Sequence, residues 1–139
     1  MKTIQKSLRV PQEVAEGIEG LADAAQRDFS SLTNELLEEA LKMRRCPGIW
    51  FAEGPSGRRA RIADTGLDVW EVIAAYKHMS SSWPRLRKAY DWLTQAQLRA
   101  ALGYYAAYPD EIERALTRNV SWTKERLGKQ HPSLRAMAE

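Results

Sequence analysis

Residues 2 to 10, Lys-Thr-Ile-Gln-Lys-Ser-Leu-Arg-Val, alternate with a period of two. Ile4, Lys6, Leu8 and Val10 fall on one face of a strand, and Thr3, Gln5, Ser7 and Arg9 on the other. Pro11 ends that strand, because it has no N–H and its fixed φ suits the first turn of a helix. Residues 12 to 45 then read as two helices, so this part of the chain offers the strand no second strand. An edge strand left alone exposes a row of backbone donors and acceptors that invites another chain. The pattern predicts a homodimer in which two copies pair antiparallel, with Ile4, Leu8 and Val10 covering four helices. Lys6 is the polar intruder on that inward face.

The first helix carries Val14, Ile18, Leu21, Ala22 and Ala25 at three- and four-residue spacing, with Gly17 and Gly20 weakening it by about 1 kcal/mol each relative to Ala. Asp28-Phe29-Ser30-Ser31 reads as a turn in which Ser30 or Ser31 caps a second helix. Its stripe is Leu32, Leu36, Leu37, Ala40 and Leu41, with Glu35, Glu38 and Glu39 expected to stay wet. Pro47-Gly48 ends it.

From residue 46 the pattern changes. Ile49-Trp50-Phe51 and Arg58 to Ile62 read as two short strands joined by a turn over Glu53 to Gly57. Helices are expected over about residues 68 to 79, from Pro84 to about Tyr90, after a Thr94 cap, and from Pro109. Trp70, Trp83, Trp92, Tyr104, Tyr105 and Tyr108 are expected to fill a core, the alternative being a protein-binding surface. Residues 119 to 139 are a polar tail with spaced apolar anchors at Trp122, Leu127, Leu134 and Met137. Such anchors suit a segment that orders on a partner protein, or one that packs back on its own helical domain.

The fold class expected is mainly α. Residues 1 to 45 form the strand-helix-helix unit, 46 to 118 a small helical domain with a short β-hairpin and helix-turn-helix proportions in its middle helices, and 119 to 139 the tail.

The formal net charge is +3, and its distribution is more informative. Residues 1 to 41 carry four basic and eight acidic side chains, whereas 42 to 61 carry six basic and one acidic. A nucleic acid would therefore be held by local contacts, not by one uniformly basic surface. Arg59 and Arg61 share one side of their strand beside Arg58, where they suit a phosphate. They suit equally a charged edge strand kept from aggregating, with Asp64 or Asp68 neutralising them. Cys46, His78 and His131 are isolated, and no phosphate loop, nucleophile elbow or dinucleotide fingerprint appears, so neither an enzyme nor a cofactor is expected. With one Cys, no exporting leader and no long apolar run, the expected setting is the cytoplasm, without membrane contact.

The strand ending in Leu8-Arg9-Val10-Pro11, the amphipathic helix, the Ser-containing turn and the second amphipathic helix resemble the ribbon-helix-helix repressors over about the first third of the chain. The resemblance implies that Gln5, Ser7 and Arg9 face the major groove and read base edges. Ser30 and Ser31, with their amides, would hold a backbone phosphate. The turn lacks the usual Gly, the first helix is a little long, and Lys6 stands at an inward position. A ribbon that only dimerises, its polar face merely solvated, is the alternative.

Residues 46 to 118, with Ile49, Gly57, Ile62, Thr65-Gly66, Val69-Trp70, Trp83, Leu93-Thr94, Ala100-Ala101-Leu102 and Tyr104-Tyr105, resemble domain-of-unknown-function family 433. The resemblance implies a compact helix-turn-helix-like module of the kind found in VapB-type antitoxins, whose neighbours encode PIN-like ribonuclease toxins. The function expected is thus an antitoxin that binds operator DNA as a dimer and neutralises such a toxin. On this reading Trp122, Leu127, Leu134 and Met137 are candidate toxin contacts, and Arg58, Arg59 and Arg61 further DNA phosphate contacts. A stand-alone transcription regulator, whose helical domain oligomerises or senses a ligand, and a pure protein-interaction module are the alternatives.

Overall fold

Pro11 precedes helix α1 (Gln12–Ala25), and a helix over Phe29–Arg45, α2, follows after three residues. The structure is a computed structural model that describes residues 2–55 and 57–119. Contacts divide the chain into two units, one up to Lys42 and one from Met43 onward.

In the first unit, residues 2–10 are exposed and form no strand within the single chain, contrary to the strand expected there. Among the described residues no second strand lies beside this run within the chain, so the alternation has no ladder to join. Helix α1 ends at Gln26, which takes a left-handed conformation (φ 54°) while the Arg27 amide reaches back 2.9 Å to the Ala22 carbonyl. That conformation usually calls for Gly. Helix α2 begins two residues earlier than predicted, because Asp28 is the residue that caps it: its Oδ1 accepts from the Ser31 amide at 2.7 Å. Arg27 braces the same turn, donating to Ser31 Oγ (3.0 Å) and pairing with Glu35 (2.9 Å). Glu39 is buried instead of wet, whereas Leu36, Leu37 and Leu41 of the predicted stripe are exposed.

The second unit has a core of its own. Strands β1 (Ile49–Gly54) and β2 (Gly57–Ile62) pair antiparallel, with Ile49 opposite Ile62 and Phe51 opposite Ala60, so one face of the hairpin is apolar. Of helices α3 (Val69–His78), α4 (Trp83–Ala89), α5 (Gln95–Ala107) and α6 (Pro109–Arg118), α3 and α5 pack onto that face, α4 packs on α3, and α6 packs on α3 and α5. Ile49, Ile62, Val72, Ile73, Leu86, Leu98 and Tyr104 are all essentially inaccessible. Gly48 lets the hairpin approach α5: it sits at φ +91°, and a Cβ there would lie 3.2 Å from that of Ala100.

Side chains fix each junction. Thr65 Oγ1 donates to the Ile62 carbonyl (2.8 Å) and accepts from the Leu67 amide (3.1 Å), folding Thr65-Gly66-Leu67 into the turn before α3. Thr94 and Gln97 form a reciprocal capping box on α5. Tyr104, wholly buried, donates from its hydroxyl to Glu111 Oε2 (2.5 Å) and packs edge-on to Phe51. Burial and that carboxylate together raise the phenol far above its ordinary pKa. Trp70 and Tyr104 are core residues as expected, but Trp92 lies 63% exposed in the α4–α5 turn. No helix among the described residues is long and apolar enough to cross a membrane.

Candidate functional site

The surface of the first unit is unusual in kind. Of the twelve large hydrophobic side chains that are exposed among the described residues, nine belong to the first unit, from Ile4 to Leu41, and only Ala22 and Leu32 are buried there among apolar residues. Ile4 (67%), Leu8 (72%) and Leu37 (58%) are the most open of the expected inward positions. Ile4 and Leu8 are positions predicted to cover the helices of a dimer and Leu37 belongs to the stripe predicted to be buried; each is more than half exposed within one chain.

Gln5, Ser7 and Arg9 are exposed and make no hydrogen bond or ion pair among the described residues. Ser30 and Ser31 lie in the first turn of α2. The Ser31 amide and hydroxyl are both engaged, by Asp28 and Arg27, so the donors left open at this helix end are the Phe29 and Ser30 amides.

In the second unit, Arg59 and Arg61 do share the outer side of β2, and the structure decides what they meet. Asp68, the residue before α3, is buried. Its Oδ2 accepts from Arg59 Nε (2.5 Å) and Trp70 Nε1 (3.2 Å), its Oδ1 from Arg61 Nε (3.2 Å). One carboxylate therefore holds two guanidiniums and an indole, tying hairpin to helix. Arg59 also donates to the Glu53 carbonyl. Asp64, the other acid considered, takes no part; it occupies a left-handed position (φ 63°) after β2. Arg58 stands apart, 3.6 Å from Glu53.

The hub opens into a cleft of about 540 Å³ whose far wall is the end of α6, with Arg118 and Asn119. Sequence reasoning pointed to Arg58, Arg59, Arg61 and Asp68 but missed Arg118. Its place on the cleft follows from how α6 packs on α3, and no local pattern announces that. The α4–α5 pair is less available to DNA than its proportions suggest. Of the polar side chains near the start of α5, Gln97 is engaged in the capping box and Arg99 lies over the Trp83 ring at 5.2 Å, whereas Gln95 makes no hydrogen bond among the described residues. Trp122, Leu127, Leu134 and Met137 lie outside the described residues. No cluster of His, Cys, Asp or Glu suited to a metal occurs among the described residues.

Residues 53–105, from the middle of the hairpin through most of α5, match the family model described as protein of unknown function (DUF433). No curated protein and no solved structure matches the chain.

Proposed function

We propose that this chain is a DNA-binding regulator that dimerises through its first unit and acts as the antitoxin of a PIN-like ribonuclease toxin. The observation that carries the dimer is the exposed apolar surface of residues 4 to 41. Burying one such side chain stabilises by about 1.5–3 kcal/mol. Nine per copy, each already partly covered, still offer a dimer a gain of the same order as the roughly 4–15 kcal/mol that association costs in lost freedom. Pairing residues 2–10 between copies satisfies the strand's backbone, covers Ile4, Leu8 and Val10, and turns Gln5, Ser7 and Arg9 to one outer face.

A two-stranded ribbon fits the major groove, where Arg pairs with guanine and Gln with adenine. The phosphate clamp at α2 is then best assigned to the Phe29 and Ser30 amides, with Ser30 Oγ, since Ser31 serves the turn itself. The toxin-binding part of the proposal is supported by the second unit's likeness to family 433, and the segment 119–139 is its candidate contact.

The test is binding to the chain's own promoter DNA at two salt concentrations, by wild type and by Arg9→Ala. Wild-type affinity should fall steeply with salt, as phosphate contacts require, and Arg9→Ala should bind roughly 10- to 100-fold more weakly at either salt. Equal binding by the two proteins would remove the ribbon as the reader. Deleting residues 119 to 139 should leave DNA binding intact while abolishing protection against the toxin.

A further inference from the structure

The cleft beside Asp68 has a chemistry that the ribbon reading does not use. Its walls carry four guanidiniums, those of Arg58, Arg59, Arg61 and Arg118, against the carboxylates of Asp68 and Glu71. Asp68 accepts from three side-chain donors, and both of its arginines are held through Nε. That leaves the Nη edge of Arg61 and the whole Arg118 guanidinium without a partner among the described residues. Planar N–H forks fixed by a buried carboxylate are pre-organised for the oxygens of a phosphate, with positive charge in excess.

The shape selects among phosphates. The side chains of Arg59 and Arg61 are only 29% and 27% exposed, tied down instead of projecting. A duplex offers its phosphates on a stiff, broad cylinder, and such a surface touches protruding side chains more readily than cleft walls. A cavity of about 540 Å³ is instead within the range of small-molecule sites.

We infer that this cleft binds a small phosphate-bearing ligand of the phosphate monoester class. Arg61 and Arg118 contact the phosphate, and Asp68 is the positioning residue that holds Arg59 and Arg61. The inference rests on the second unit alone and does not depend on the dimer, DNA or toxin.

The experiment is calorimetric titration of the full chain, in chloride buffer, with inorganic phosphate and with adenosine 5′-monophosphate. Saturable binding of one ligand per chain is expected, about tenfold weaker in Arg118→Ala, whose side chain is exposed and outside the Asp68 hub. Arg61→Gln should weaken it as well, with circular dichroism confirming that both variants are folded. Arg9→Ala should leave it unchanged, which separates this inference from the ribbon proposal. The inference is overturned if folded wild type shows no saturable binding of either probe, or if Arg118→Ala and Arg61→Gln bind as wild type does. It is overturned equally if only duplex DNA binding, and neither small probe, responds to Arg118→Ala. The cleft would then be a DNA backbone contact.

Discussion

The two units of this chain place their apolar side chains oppositely. From Met43 onward, Ile62, Ile73, Leu86 and Leu98 are buried around Tyr104, and the polar groups that go inside with them have partners, as Asp68 and the Tyr104 hydroxyl do. Up to Lys42, leucines of similar helical spacing, Leu21, Leu36 and Leu37, lie in the open. Both units obey the same periodicity rules. The difference teaches that a stripe predicts burial without saying against what: four helices and a hairpin suffice for a core, and two helices do not.

The sharpest way to break this comparison is to charge the open stripe. If the proposed dimer buries Leu37, Leu37→Glu should cost about 4 kcal/mol per dimer, roughly a thousandfold in Kd, because each copy would lose a buried side chain. Sedimentation would read this as monomer at concentrations where wild type is dimeric. If Leu37 is ordinary surface, the change stays within about 0.5 kcal/mol and the assembly is unaffected.

A smaller effect sharpens the other side. Asp68→Asn should destabilise the second unit by about 2 kcal/mol, since two guanidiniums lose their shared charge while the shape is kept. Urea denaturation followed by tryptophan fluorescence would show it, and no change in midpoint would mean that the hub holds nothing together.

Gln26→Gly should stabilise the first unit by about 1 kcal/mol, because Gly adopts the left-handed conformation between α1 and α2 without the penalty of a Cβ. Thermal melting compares the two proteins. A loss of stability would mean that the Gln26 side chain makes contacts worth more than that penalty.

The smallest effect is electrostatic. Lys77 donates to Glu113 at 2.5 Å and Tyr105 donates to the same carboxylate, and these bonds hold the glutamate's pKa below its usual value. A lowered folded pKa gives stability that is present above the ordinary glutamate value and lost as pH falls through the folded one. Wild type should therefore lose a small advantage over Glu113→Gln as the pH drops below about 4.3. Parallel melting curves for the two proteins from pH 7 to pH 3 would dismiss the bond as a contributor. The pair is near the surface, so the effect should shrink further in salt.

Much of the second unit was legible because its signals are local. The hairpin, the Thr94 cap and the helix opened by Pro109 each depend on residues within a few positions, and each stands where the pattern puts it. The cap of α2 falls on Asp28 and not on Ser30 or Ser31, because three polar residues within four positions compete for that role. Asp28 takes it by being the one that leaves Phe29 free to start the helix. Glu39 and Trp92 ran against their types, one buried and one exposed, and no neighbour in sequence marks either.

What the sequence alone determined is most of the local conformation of the second unit: where its turns fall, where its helices start, and which of its faces are apolar. These are set by backbone sterics, capping and periodicity over three or four residues. What only the tertiary structure decided is which of the candidate charges meet. Arg59 and Arg61 close on Asp68 and not on Asp64, and Arg118 arrives at the same cleft from the far end of α6. Those meetings depend on the packing of elements distant in the chain, and electrostatic partners are chosen by distance in space, which a linear sequence does not contain.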